Sequence, residues 1–250
     1  MGDAFEEYIK DLFSGTFDET DENKRMKRIS DTFSYLGNNS NPPDGMLRSG
    51  DAIEVKKIES NNAQLALNSS YPKHKLYADS PMISSACRTA ENWTEKDIIY
   101  AVGIVDGNRL KHLAFVYGMD YAATEDVYLR IKQKIKLGVE TIPDVEFSDT
   151  KELGRVNRVD PLGITYLRVR GMWGIENPFS VFSYIYRRDP SKDFNFMCII
   201  NDEKFGTFEN KNDLLKLCSR DHNIKIDDVD IKDPDNPARL VPARLITYSI

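Results

Sequence analysis

Apolar residues recur at helical spacing where the chain opens: Phe5, Tyr8, Ile9, Leu12 and Phe13 fall on one side of a helix over Ala4–Phe13. A second helix is predicted over Asp21–Tyr35, with Ile29 and Phe33 on its apolar side. Gly37–Pro43 is loop by composition. The period then changes. Met46-Leu47-Arg48 is short and extended, Ser49-Gly50-Asp51 reads as a turn, and Ile53-Glu54-Val55-Lys56 alternates, so a hairpin spans Gly45–Ile58. Asn62–Leu67 fits no single template, Asn68–Lys75 reads as a polar loop, and a helix follows from Ser80 to about Glu91. Asp97–Val105 is a buried type of strand, returned by the Asp106-Gly107 turn as Leu110–Tyr117. Thr124 caps a helix to Leu137, with Val127, Ile131 and Ile135 on one face. Ile164–Val169 and Phe194–Ile200 read as strands, and Pro178–Tyr186 as a helix with proline near its start. After Asn223, isoleucines alternate with charge among three prolines, and no element is assigned.

These elements predict an α/β protein of the mixed α+β kind, a central mixed β-sheet flanked by helices. No repeat or linker divides the chain, so one domain over residues 1–250 is expected. A core carrying the chemistry would occupy about 1–120 and a recognition region about 150–190; the segment 191–250 has no assigned role.

With 40 % hydrophobic and 30 % charged residues, composition is that of an ordinary globular protein. There is no apolar run of about 18 residues, which excludes a spanning helix, and the start lacks the basic-then-apolar pattern of a secretory signal. Three scattered cysteines, Cys87, Cys198 and Cys218, fit reduced thiols and a cytoplasmic location. The net charge of −6 argues at first against a polyanion, but the charge is uneven. Residues 221–235 hold six aspartates against Lys225 and Lys232, whereas 151–170 hold five basic residues against Glu152 and Asp160. Binding follows the local field, so nucleic acid stays admissible.

The chemistry is concentrated in Pro43-Asp44 and, ten residues on, Glu54-Val55-Lys56. Alternation puts Glu54 and Lys56 on one strand face, and the hairpin returns Asp44 beside them. Two carboxylates and an ammonium then converge at a sheet edge, the set needed to hydrolyse a phosphodiester with Mg²⁺. Asp44 and Glu54 are the expected ligands, with the Val55 carbonyl as a third. Lys56 would orient or deprotonate the attacking water. Glu7 on the first helix is a candidate outer carboxylate. Each assignment has a plainer alternative: Glu54 with Lys56 as a solvent-facing strand pair, Pro43-Asp44 as the start of a turn, and Glu7 as a solvated surface group.

Two further clusters bear on DNA. Asn68, Ser69, Ser70, Lys73 and Lys75 are rich in donors suited to phosphate and sugar, or simply form a surface loop. Arg155, Arg158, Arg168 and Arg170 form the second cluster, with Arg168 and Arg170 on one strand face opposite Leu167 and Val169. They would read guanine through paired hydrogen bonds, or else pair with carboxylates across the sheet. Trp173 fits core or interface better than a stacking platform.

The runs Met1–Tyr8, Asn41-Pro42-Pro43-Asp44, Gly50–Lys57, Ala66–Lys73, Trp93–Tyr100, Glu152–Tyr166 and Gly171–Pro178 resemble type II restriction endonucleases of the NgoPII type. The resemblance extends to about Tyr186. It implies a restriction-endonuclease-like core of the PD-(D/E)xK superfamily, whose pattern falls on Asp44, Glu54 and Lys56. It also implies a homodimer that cuts double-stranded DNA bluntly at the palindrome GGCC, in a prokaryotic cytoplasm and paired with a cognate DNA methyltransferase. Other readings of the same residues are a structure-selective repair or recombination nuclease, or a non-catalytic DNA-binding protein on this fold.

Overall fold

The computed structural model describes residues 2–38 and 41–250, so Asn39 and Ser40 of the predicted 37–43 loop lie outside the described residues, as does Met1. Two helices come first, α1 (Gly2–Ser14) and α2 (Glu22–Thr32). The Asp21 side chain accepts from the N–H groups of Asn23 and Lys24 and so starts α2. This helix ends earlier than the pattern predicts. Phe33 already has extended φ/ψ and opens strand β1 (Phe33–Asn38), which pairs antiparallel with β2 (Asn41–Leu47). The hairpin partner of β2 is β3 (Ala52–Ile58), with Gly45 opposite Ile53 and Met46 opposite Ala52. Ser49, at φ 54, takes up the left-handed residue of that turn.

Two short strands follow, β4 (Leu65–Asn68) and β5 (Lys75–Tyr77), then α3 (Ser85–Thr89), a fraction of the predicted 80–91 helix. The long hairpin of β6 (Glu95–Asp106) and β7 (Arg109–Tyr117) is as expected, with Gly107 at φ 58 in its turn. Helices α4 (Gly118–Tyr121) and α5 (Glu125–Val139) precede the short strands β8 (Glu146–Phe147), β9 (Gly154–Asn157), β10 (Leu167–Val169) and β11 (Trp173–Ile175). Helix α6 (Pro178–Val181) is a single turn, shorter than the predicted 178–186. The chain closes with β12 (Asn195–Asn201), α7 (Asp202–Gly206), α8 (Lys211–Cys218), β13 (Ile224–Lys232) and β14 (Leu240–Ser249). The tail, to which the sequence pattern assigns no element, is therefore the longest hairpin after β6–β7.

Among the described residues the main sheet runs β1-β2-β3-β6-β7-β12-β14-β13, with β5 also pairing β6. It is mixed: β3–β6 and β7–β12 are parallel, and the other pairs antiparallel. Strand alternation divides the core in two. Ile53, Val55, Ala101 and Leu113 point to one face and are covered by Phe5, Ile9 and Ile29 of α1 and α2. Ala52, Ile58, Tyr100, Val102, Ala114, Val116 and Met197 belong to the other core, which Leu65, Leu67 and Phe182 complete. By the same alternation Glu54 and Lys56 emerge on this second face.

Candidate active site

Glu54 sits on β3 opposite Tyr100 of the parallel neighbour β6, and Lys56 opposite Val102. Because Gly45 pairs with Ile53, Asp44 on β2 lies next to Glu54. The structure brings all three side chains together. Lys56 Nζ is 2.6 Å from Glu54 Oε1 and 3.8 Å from Asp44 Oδ2. The Val55 N–H donates to Asp44 Oδ2 at 2.6 Å, which fixes that carboxylate toward β3.

Burial governs the electrostatics. Glu54 is pushed up to about 7 by loss of water and then by the Asp44 carboxylate, against the pull of Lys56 and Lys73. Burial acts to lower the Lys56 ammonium, yet the Glu54 and Asp44 carboxylates outweigh it and hold its pKa above the ordinary lysine value. With anionic close neighbours, Lys56 is better suited to orient the attacking water than to deprotonate it. Glu54 Oε2 is buried and has no hydrogen-bond partner. An orphaned carboxylate oxygen beside a second carboxylate is a hard-oxygen donor set, which fits a divalent cation.

The Glu7 expectation is corrected. Its carboxylate is paired with Lys10 and Arg25, each at 2.8 Å, and Lys10 first and then Arg25 lower its pKa. The α1 carboxylate whose charge is felt at Lys56 is Glu6, one position earlier.

The 68–75 segment is only partly a surface loop. Asn68 and Ser69 are exposed, but Tyr71 and Lys73 are buried and Ser70 Oγ is buried without a partner. Lys73 Nζ lies 3.5 Å from the centre of the Tyr71 ring, and the Lys73 N–H donates to the Tyr100 hydroxyl at 2.6 Å. Lys75 is tied to Glu95 at 2.9 Å and lies 3.6 Å from Asp97. Lys73 is thus drawn inward against Tyr71, and Lys75 is held by carboxylates.

In the structure three of the four arginines pair with carboxylates. Arg168 and Arg170 both bond Glu152, at 2.6 Å and 2.5 Å, and Arg158 lies 3.4 Å from Glu146. Arg155 donates to Asn157 at 3.2 Å and stacks over Tyr166. The strand β10 covers only Leu167–Val169, pairs with β9, and leaves Leu167 half exposed, so it is not the core-packed strand expected over 164–169.

A mixed sheet carrying paired carboxylates and a lysine on adjoining strands is the frame of a nuclease that works with a divalent metal, as type II restriction enzymes generally do. A family model described as NgoPII restriction endonuclease matches residues 1–232, and the chain belongs to that family. The type II restriction enzyme NgoPII of Neisseria gonorrhoeae is 60 % identical over 250 residues, spanning 100 % of this chain and 89 % of that protein. No solved structure matches the chain. The activity is accordingly site-specific cleavage of double-stranded DNA. Among the described residues no helix is long and apolar enough to cross a membrane.

Proposed function

We propose that Asp44 and Glu54, with the Val55 carbonyl, hold Mg²⁺, and that Lys56 orients the attacking water and the scissile phosphate. The observation that carries this is the orphaned Glu54 Oε2 beside Asp44, with Lys56 Nζ 2.6 Å from the other Glu54 oxygen. Bound there, the ion would neutralise charge on the phosphate and lower the pKa of its water. The protein's own share is placement. Asp44 is locked by the Val55 N–H, Glu54 is screened from water, and the Lys56 ammonium supplies donors to a phosphate oxygen.

The target we infer from the family resemblance is GGCC, cut bluntly, by a homodimer in a prokaryotic cytoplasm that also holds a cognate methyltransferase. The exposed apolar side chains of Leu162, Ile164 and Met172 offer surface for a second copy, and two-fold symmetry suits a palindrome. We treat the chain as one restriction-endonuclease-like domain, with residues 150–190 as its recognition region. Base reading by Arg168 or Arg170 would require it to leave the Glu152 carboxylate for the uncharged acceptor edge of a base.

Digestion of long duplex DNA with Mg²⁺, followed by sequencing of the ends, tests this directly. Fragments ending at the centre of GGCC are expected; ends at other sequences or at branches would overturn the target. Lys56→Ala and Glu54→Gln should each lower the cleavage rate by at least about a hundredfold while duplex binding persists. Full activity in either variant would remove that residue from the mechanism.

A further inference from the structure

His112, on the same sheet face as Ala114 and Val116, is 2 % exposed and takes no part in the chemistry above. Its Nε2 is 3.0 Å from the Tyr186 hydroxyl and its ring stacks on Phe179 at 3.7 Å, but its Nδ1 is buried without a partner. A buried ring nitrogen left unsatisfied is costly unless something else meets it. The imidazole lines an open cavity of about 330 Å³, together with Asn62, Ser183, Tyr186, Arg187 and Arg188. Unlike Arg158, Arg168 and Arg170, neither Arg187 nor Arg188 forms an ion pair among the described residues. The charge of Arg188 reaches His112 and, after burial, helps keep the imidazole neutral. Two guanidinium groups, two amides, the Ser180 and Ser183 hydroxyls and a ring nitrogen able to carry N–H make a wall with several donors beside the Phe179 ring, while the Tyr186 O–H is given to Nε2. Such a wall suits an acceptor-only anion.

We propose that this cavity is an anion site that takes a phosphodiester group of the DNA backbone outside the cleavage centre, with Arg187 and Arg188 as its charges and His112 Nδ1 as a buried donor. His112 and the cleavage residues Glu54 and Lys56 belong to one face of the sheet. His112 aligns with Ile104, which aligns with Ile58, two residues beyond Lys56. From strand spacing and rise, the two positions are roughly 12 Å apart on one sheet face. Leu65, Leu67 and Phe182 cover the sheet between them, so DNA would reach the cavity around that layer and not across it. The source of the anion rests on the DNA-cutting activity; the site itself does not.

The test therefore has two arms. In the first, ¹⁵N NMR follows the His112 ring during titration with inorganic phosphate, with chloride at equal ionic strength as control. A saturable shift seen only with phosphate is expected, and no shift overturns the site. In the second, the double variant Arg187→Ala/Arg188→Ala is measured on cognate and random duplexes without divalent metal. Affinity should fall by at least about tenfold on both alike. The slope of log K against log salt should drop by about one for each phosphate that the variant leaves unneutralised. An unchanged slope would overturn the phosphodiester assignment even if free phosphate binds. A loss confined to cognate DNA would also overturn it, by marking the arginines as base readers. Failure of cleavage at GGCC would leave the phosphate arm untouched, so the two readings fail separately.

Discussion

Lys73 shows how far one side chain's surroundings can depart from its residue type. Burial lowers its pKa to about 8, and only the charges of Glu125 and Glu54 work against that. Below about pH 8 the amine is protonated in both the folded and the unfolded chain, so the penalty for burying its charge is fully present at neutral pH. As pH rises from 8 toward the unfolded value of about 10.5, the folded state sheds its proton first and becomes relatively more stable. Lys73→Met, which keeps the stem against the Tyr71 ring, should thus stabilise the protein by about 1–3 kcal/mol at pH 7. That gain should shrink toward pH 10, as read by denaturant unfolding across the range. A variant no more stable than the parent at pH 7 would mean that Lys73 is compensated by its neighbours. The central triad is legible in the sequence because alternation and a hairpin turn fix Asp44, Glu54 and Lys56 with no tertiary knowledge. Glu6 is not: a helix advances about 100° per residue, and a one-residue error moves a carboxylate to another face.

At the scale of elements, the errors share a cause. Ile29 and Phe33 are spaced for a helix, yet Phe33 and Tyr35 are both buried around an intermediate Ser34, which is strand period. Both patterns coexist locally, and pairing with β2 decides between them. In β13 the apolar alternation slips: Ile224 and Ile226 hold one phase, Val229 and Ile231 the other, with Asp227-Asp228 between. A period-2 search interrupted there misses a nine-residue strand. The helix α5 does form with its apolar stripe, but none of its residues is buried. Docking of α1, by contrast, relies on a detail only coordinates show. A Cβ at Gly103 of β6 would lie inside van der Waals contact with the Phe5 ring. Gly103→Ala should then destabilise by about 1–3 kcal/mol through displacement of α1. Chemical denaturation measures this, and Phe5→Leu in the same chain should recover part of the loss. An unaltered midpoint for Gly103→Ala would show that α1 shifts freely.

For the molecule as a whole, the weight of the C-terminal quarter is the main surprise. β12 pairs parallel to β7, and β14 and β13 extend the sheet beyond it. Removing residues 189–250 would bare the edge of β7, whose Leu113, Ala114 and Val116 are buried. A bare, flat, apolar edge invites pairing with other chains. Such a truncated chain should partition into the insoluble fraction on expression, whereas Lys56→Ala in the full chain should remain soluble. A soluble, monomeric truncation would show that residues 1–188 stand without β12–β14.

Translation proceeds from the other end. Asp44, Glu54 and Lys56 emerge well before the strands β12, β13 and β14 that extend their sheet. A nascent polypeptide thus holds these three side chains before the sheet that carries them is complete.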